Sequence, residues 1–366
     1  MSKPDNAPTP KENQASNPEP DNLRSDETTS QLVRQNVENN PLLEPVQLNN
    51  SLFPVIQVPT LEGIQIDVPS PEPITEEDIT ERFEQLYYEL LHRENRAKGD
   101  PIQYGDEVTL DLIGYVSGEL LPFSASEGLR VRLEEDVCFP GFGTKLEGLA
   151  VDSQKVILTR TEDGQELLLA VSIVSAAVLE DIEPDSPEML ARFQRGDTLP
   201  EILEHIAEEL VQEEASALVL RGFDLVMEEL LKRAPIDIPR APLEEEIRYW
   251  WRLSEGDFLA RHNVEQTDLE ASLRYWQDDD TIREEAIHRL QRTLLLKAYF
   301  AKEGKKVNKL ELKGFLEELA PTFGLDAKVL QGALEQHAKE QSMLIQTYEA
   351  ILALSHIISQ VELRYT

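Results

Sequence analysis

The chain has 366 residues, 40% of them apolar, more than one core usually organises, which predicts two compact units joined to flexible segments. Seventy acidic residues against 35 basic ones give a formal charge of −35, a field that repels phosphate backbones and anionic lipid head groups. Nucleic acid and membrane surfaces are therefore excluded as expected partners. The single cysteine, Cys138, excludes an intrachain disulfide and a thiolate metal cluster. With no apolar run of signal-peptide or membrane-span length, this fits a cytoplasmic protein.

Residues 1–50 are rich in Pro, Asn, Ser, Glu and Asp and hold too little apolar surface to offset the entropy of ordering, so a disordered acidic tail is expected. Residues 51–100 read as an extended connector followed by a helix that packs on the helical domain. Its short stretches, Val55-Ile56-Gln57-Val58 and Ile64-Gln65-Ile66-Asp67-Val68, each end in proline. Thr75 and Asp78 form a capping-box pattern, and Ile79, Phe83, Leu86 and Leu90 recur at helical spacing, predicting a helix to about Asn95.

Residues 101–178 alternate apolar and polar in short runs broken by glycine turns, predicting a small β domain. Strands are expected over 108–112, 131–133, 156–158 and 167–174, with a hairpin at Asp163-Gly164 and one short helix over 143–149. Cys138, beside Phe139, reads as a small buried residue.

From 179 to 366 the pattern is helical to the end. Thr198 caps a long helix stopped by Pro235, and Pro242 opens another with Leu243, Ile247, Trp250 and Trp251. Thr281 with Glu284 forms a second capping-box pattern ahead of a helix that stops at Gly304. The apolar stretch 343–363 is the last helix. The fold class is α+β, a small antiparallel β domain attached to an elongated all-helical domain.

No Gly-x-Ser-x-Gly elbow, Walker loop or dinucleotide fingerprint is present, so hydrolase and nucleotide chemistry find no support. Glu89-x-x-His92 and Glu285-x-x-His288 match an element of di-iron bundles, but two such matches are little more than chance supplies in so acidic a chain. No metal and no cofactor are expected.

Three segments carry a family resemblance. Gly105-Asp106-Glu107-Val108-Thr109-Leu110-Asp111-Leu112-Ile113-Gly114, then Phe139-Pro140-Gly141-Phe142 with Leu146-Glu147-Gly148-Leu149, then Ile236-Asp237-Ile238-Pro239-Arg240-Ala241-Pro242 resemble, in this order, the trigger factor family. The connector Val58-Pro59-Thr60-Leu61-Glu62-Gly63-Ile64 resembles the family's lead into its middle domain. In that family the middle domain is an FKBP-type prolyl isomerase, and a helical domain binds unfolded or nascent polypeptides. The family's ribosome-docking loop has no counterpart in place here, since Phe193-Gln194-Arg195-Gly196 stands in the wrong region, so ribosome docking is not expected.

Prolyl isomerisation crosses a barrier of roughly 18–20 kcal/mol set by amide resonance, and a dry apolar pocket that favours the twisted amide suffices to lower it. The resemblance places that pocket at Leu112, Leu121, Phe139, Phe142 and Leu169. Only Phe142 keeps an aromatic where the family has one, and a tight turn at 161–165 stands where the family carries a flap. Isomerase activity is accordingly expected to be weak or lost. In the helical domain, Tyr249, Trp250, Trp251, Phe258, Tyr275, Trp276, Phe315 and Leu316 are the candidate client-binding residues. Alternatives are an active peptidyl-prolyl isomerase, or a non-enzymatic adaptor that binds one folded partner.

Overall fold

The computed structural model describes residues 40, 42, 53–161, 164–304, 306–323, 326–336 and 338–366. The tail expected over 1–50 lies outside the described residues apart from Asn40 and Leu42, as do Glu162 and Asp163 of the predicted hairpin.

The first and last strands of the described residues pair with each other. β1 (Gln65–Val68) pairs in parallel with β8 (Glu362–Tyr365), Gln65 opposite Glu362 and Val68 opposite Tyr365. This corrects the expectation of helix to the end. Leu363 and Val361 pack on the core under β1, so the residues after the last helix extend with a period of two.

The capping box at Thr75 forms. The Thr75 hydroxyl accepts the Asp78 N–H at 3.2 Å, and the Asp78 carboxylate accepts the Thr75 N–H at 2.7 Å. These bonds hold the Asp78 carboxyl below its ordinary pKa. Helix α1 runs Glu76–Leu90 and does not reach Asn95. Leu91 turns extended, and the Arg93 guanidinium reaches back to the carbonyls of Tyr88, Glu89 and Leu91, closing the helix end. Arg93–Asn95 then forms β2 of the sheet.

The sheet is antiparallel throughout. Its two central strands are β3 (Glu107–Val116) and β7 (Glu166–Leu179). β4 (Glu119–Leu120) and β5 (Ser126–Arg132) flank β3; β6 (Ser153–Arg160) and β2 flank β7. Between β5 and β6 lies the one short helix α2 (Phe142–Leu146), which buries Phe142 and Leu146. A Cβ on Gly143 would lie 1.6 Å from the Glu134 carbonyl oxygen, so only glycine lets α2 approach so closely. The β6–β7 connection is tight, with Arg160 opposite Glu166 and the Thr161 N–H donating to the Gln165 carbonyl at 3.0 Å. Two ion pairs tie β2 and its loop to β3: Arg93 with Glu107, and Arg96 with Asp106, whose buried carboxylate also accepts the Gln103 N–H.

The helical part follows as α3 (Pro187–Phe193), α4 (Leu199–Arg233), α5 (Arg240–Trp251), a π turn (Arg252–Gly256), α6 (Asp257–Arg261), α7 (Gln266–Asp278) and α8 (Asp280–Lys302). Then come α9 (Lys309–Leu319), a 3-10 turn (Ala320–Phe323), α10 (Ala327–Gln336) and α11 (Ala338–Ser359). At the start of α4 the Glu201 carboxylate accepts the N–H groups of Asp197 and Thr198, which lowers its pKa. The start of α8 corrects the predicted cap. Asp279 is extended and its carboxylate accepts the Ile282 N–H at 3.0 Å, so Thr281 lies within the first turn. Gly304, at φ +64, follows its end as predicted.

Three further cores accompany the one inside the β domain. α1 packs on α3 and α4, with Phe83 stacked on Phe193 at 5.0 Å. α4, α8 and α11 close over β1 around Val226, Leu230, Leu295 and Ile357, where the Tyr299 hydroxyl donates to the Pro59 carbonyl at 2.6 Å. The third core joins α5–α7 to the outer face of the sheet, burying Ile113 with Ile247, Trp251, Phe258 and Leu273. Among the described residues, no helix is long and apolar enough to cross a membrane.

Candidate functional site

The residues assigned to an isomerase pocket come together, but as a packed interior. Phe142 is 0% exposed, Leu112 and Leu169 are buried, and Leu121 and Phe139 pack against them half-buried. Phe139 meets Phe142 edge-on at 5.8 Å. A proline ring entering there has to displace side chains already at packing density, which costs what a core mutation costs. Cys138 is exposed, correcting its expected burial; a positive φ of 59° turns it outward, and partial desolvation raises its thiol pKa.

The helical candidates divide into two groups. Trp251, Phe258, Trp276 and Leu316 are buried, and Phe315 is half-buried, stacked on Tyr348 at 4.6 Å. Tyr249, Trp250 and Tyr275 are exposed at 42%, 36% and 47%. The adjacent tryptophans of α5 separate as helical geometry requires. Trp251 turns inward and donates to the Ser272 hydroxyl at 2.8 Å; Trp250 turns outward, donates to Glu246 and lies under the Arg289 guanidinium at 4.7 Å.

A buried carboxylate organises the junction between this arm and the sheet. Glu255, in the π turn, accepts the Ser272 hydroxyl and the Trp276 indole N–H at 3.0 Å. The Phe123 backbone, in the loop between β4 and β5, also bonds it. Burial raises the Glu255 pKa, and these hydrogen bonds oppose the rise. Phe123, held at φ 58, packs its ring on Tyr275 and Trp276 at 5.5 and 5.1 Å. Gly256 is required beside it, since a Cβ there would lie 2.8 Å from the Trp251 ring. Glu255 and Gly256 are the buried residues of the π turn.

Beside this junction opens a cleft of about 770 Å³ between the outer face of the sheet and the α6–α7 corner. Asp111, Tyr115, Lys155 and Val156 line it from the sheet; Arg261, His262, Val264 and Asp268 line it from the arm. Arg261 spans the two walls with a bidentate bond to Glu127 at 2.8 and 2.6 Å. His262 donates through Nδ1 to the Phe258 carbonyl, and its Nε2 lies 3.5 Å from Asp111. With both ring nitrogens so engaged, it is not poised as a general base. Tyr115 has its pKa raised by burial and by the nearby Asp268 and Glu265 charges, which keeps its hydroxyl neutral.

The sheet face next to the cleft stays open. Val156 and Leu158 on β6 are 65% and 51% exposed, and Leu168 stands opposite Leu158 on β7. These residues were no part of the predicted sites. The signal lay in the 156–158 run, where apolar residues occupy both faces of an edge strand and only one face meets the domain core. Among the described residues, no group of three His, Cys, Asp or Glu is placed to hold a metal ion, and neither Glu-x-x-His element contributes to one.

Residues 198–355 match the family model described as bacterial trigger factor protein (TF) C-terminus. The chain is 26% identical to a trigger factor from Streptomyces avermitilis over 289 residues, 74% of this chain and 59% of that protein. It is 24% identical to one from Halothermothrix orenii over 279 residues, 73% of this chain and 64% of that protein. It thus spans about three fifths of the length of the relatives it matches. A solved trigger factor chaperone structure overlaps 91% of this chain and 83% of its own at 17% identity and a TM-score of 0.34, too loosely to bear on the site.

Proposed function

We propose that this chain, which is similar to trigger factors and matches the model of their C-terminus over residues 198–355, is a cytoplasmic chaperone that holds unfolded or nascent polypeptides. The observation that carries this reading is the open cleft between sheet and arm, continued by the uncovered apolar strip Val156, Leu158 and Leu168. Client segments gain about 25 cal/mol for each Å² of apolar surface removed from water there. Tyr249, Trp250 and Tyr275 extend the exposed aromatic surface on the arm. The acidic surface keeps the chain soluble while such patches stay open.

Prolyl isomerisation is weak or lost in this reading, since the residues of the family's pocket are consumed by packing around Phe142. Binding is independent of the ribosome, in keeping with a charge of −35 that disfavours ribosomal RNA. The test is suppression of aggregation for several unrelated unfolded clients at near-stoichiometric ratios, alongside a proline-peptide isomerisation assay. Protection of several clients with little isomerase acceleration is expected. Protection of none, or an FKBP-like isomerisation rate, contradicts the reading.

A further inference from the structure

We propose that the free edge of β6 is a docking site for an acidic, extended segment of a partner protein, added as a further antiparallel strand. This goes beyond the chaperone reading and does not rest on it, since it draws on backbone groups and charge. Among the described residues β6 pairs with β7 alone, so its other side is an edge. Its ladder runs from Ser153 opposite Ile173 to Arg160 opposite Glu166 with no shift of register, and the strand holds no proline. The other marginal strands are unlike it: β2 and β4 have three and two residues, and the β3–β5 ladder shifts register between Leu110 and Leu112. A regular edge of this length is a ready-made template for another strand.

The ladder's alternation fixes which backbone groups face outward. The Thr161 N–H donates to the Gln165 carbonyl across the turn, so the odd-numbered residues of β6 bond to β7, and Gln154, Val156, Leu158 and Arg160 turn their N–H and C=O groups to the free side. In agreement, the Lys145 ammonium donates to the Leu158 carbonyl at 2.5 Å. That carbonyl keeps a second lone pair, so Lys145 guards the edge without closing it. Lys145, Lys155 and Arg160 are exposed, and β6 carries no acidic residue in a chain of charge −35. Lys155 stands opposite Val171, so no carboxylate meets it across the ladder. Between the two charges of the strand, Val156 and Leu158 are exposed. The segment that fits has carboxylates opposite Lys155 and Arg160 and apolar side chains opposite Val156 and Leu158. A second copy of this edge does not fit, because full overlap of two antiparallel β6 strands brings Lys155 of one copy within a residue of Arg160 of the other.

The probes are two fluorescently labelled synthetic peptides, each with a Thr-Val-Thr-Val core, one set between glutamates and the other between lysines, titrated into the full chain. The glutamate peptide is expected to bind about tenfold more tightly, since attraction at two sites becomes repulsion in its counterpart. Lys155→Glu combined with Arg160→Glu is expected to reverse that preference. Val156→Pro removes an outward N–H and no bond to β7, and is expected to weaken the glutamate peptide about tenfold. Should that variant fail to fold, the same chemistry is read on the peptide: N-methylation of alternate residues is expected to abolish binding in one register and to spare it in the other. Equal binding of the two peptides, binding of neither, a preference unmoved by charge reversal, unchanged binding by a folded Val156→Pro chain, or indifference to the register of N-methylation overturns the inference. Client protection is scored separately: a chain that binds the glutamate peptide but protects no client contradicts the chaperone reading and leaves the docking itself standing.

Discussion

The β domain and the helical arm both hold aromatic clusters, and they use them in opposite ways. Phe139 and Phe142 meet inside the β domain with Phe142 sealed from solvent, whereas Tyr249, Trp250 and Tyr275 remain exposed on the arm around a buried Trp251 and Trp276. The difference comes from the number of layers each cluster must fill. α2 and the sheet form a thin two-layer domain whose interior needs Phe142 for its own packing. On the arm, Trp251, Phe258 and Leu273 already fill the core against the sheet, and the neighbouring positions on α5 and α7 are left over. An aromatic residue is available to a client only where packing has not already consumed it.

The sharpest way to break this comparison is Phe142→Ala. As a core residue it is expected to cost about 3–5 kcal/mol of β-domain stability by urea unfolding. A loss under about 1 kcal/mol would instead describe an open pocket. Asp106→Ala tests the clamp that holds the same domain on its connector. Taking from Arg96 its hydrogen-bonded Asp106 partner, in a largely buried setting, is expected to cost about 3 kcal/mol. A shift within error in the unfolding midpoint would place that pair among ordinary surface contacts.

On the arm, Glu255→Ala is expected to cost about 2 kcal/mol, because the Trp276 indole and the Ser272 hydroxyl lose their acceptor. Glu255→Gln keeps an acceptor and removes the buried charge, so near-wild-type stability is expected at pH 7. The sign follows from a raised folded pKa: the stabilisation is complete below the unfolded value of about 4.5 and fades as pH rises through the folded one. Matching pH profiles for wild type and Glu255→Gln would remove the carboxylate from this account.

Smaller again is Tyr299→Phe, which gives up the bond to Pro59 for about 1 kcal/mol. Burial pushes the Tyr299 pKa up to about 12, so its contribution is full below pH 10 and lost between pH 10 and 12. The wild type is expected to lose stability more steeply than Tyr299→Phe over that alkaline range. Parallel curves would show that this hydroxyl does not govern it.

Local chemistry made much of the fold legible. The Thr75–Asp78 box, the Thr198 start of α4, the Gly304 stop and the strands of the β domain follow from pairs or runs close in sequence. Where two local signals competed, tertiary contacts decided. Asp279 took the cap that Thr281 and Glu284 offered, and Arg93, inside the helix expected to about Asn95, instead pairs with Glu107 and joins the sheet. The parallel pairing of β1 with β8 joins residues about 300 apart, and a four-residue alternation after a long apolar helix carries no periodicity strong enough to announce it. The candidate cleft was illegible for the same reason. Asp111 and His262 meet across it because the core shared by arm and sheet, with Glu255 bonded to the Phe123 backbone, brings residues distant in sequence together.

The central claim is that uncovered apolar surface beside the cleft holds unfolded chains. Its most direct test is suppression of client aggregation by the Val156→Lys, Leu158→Lys double variant, compared with wild type at equal concentration. Both side chains face solvent, so the urea midpoint is expected to stay within error of wild type. Protection is expected to fall severalfold. Undiminished protection by a folded double variant would contradict the claim.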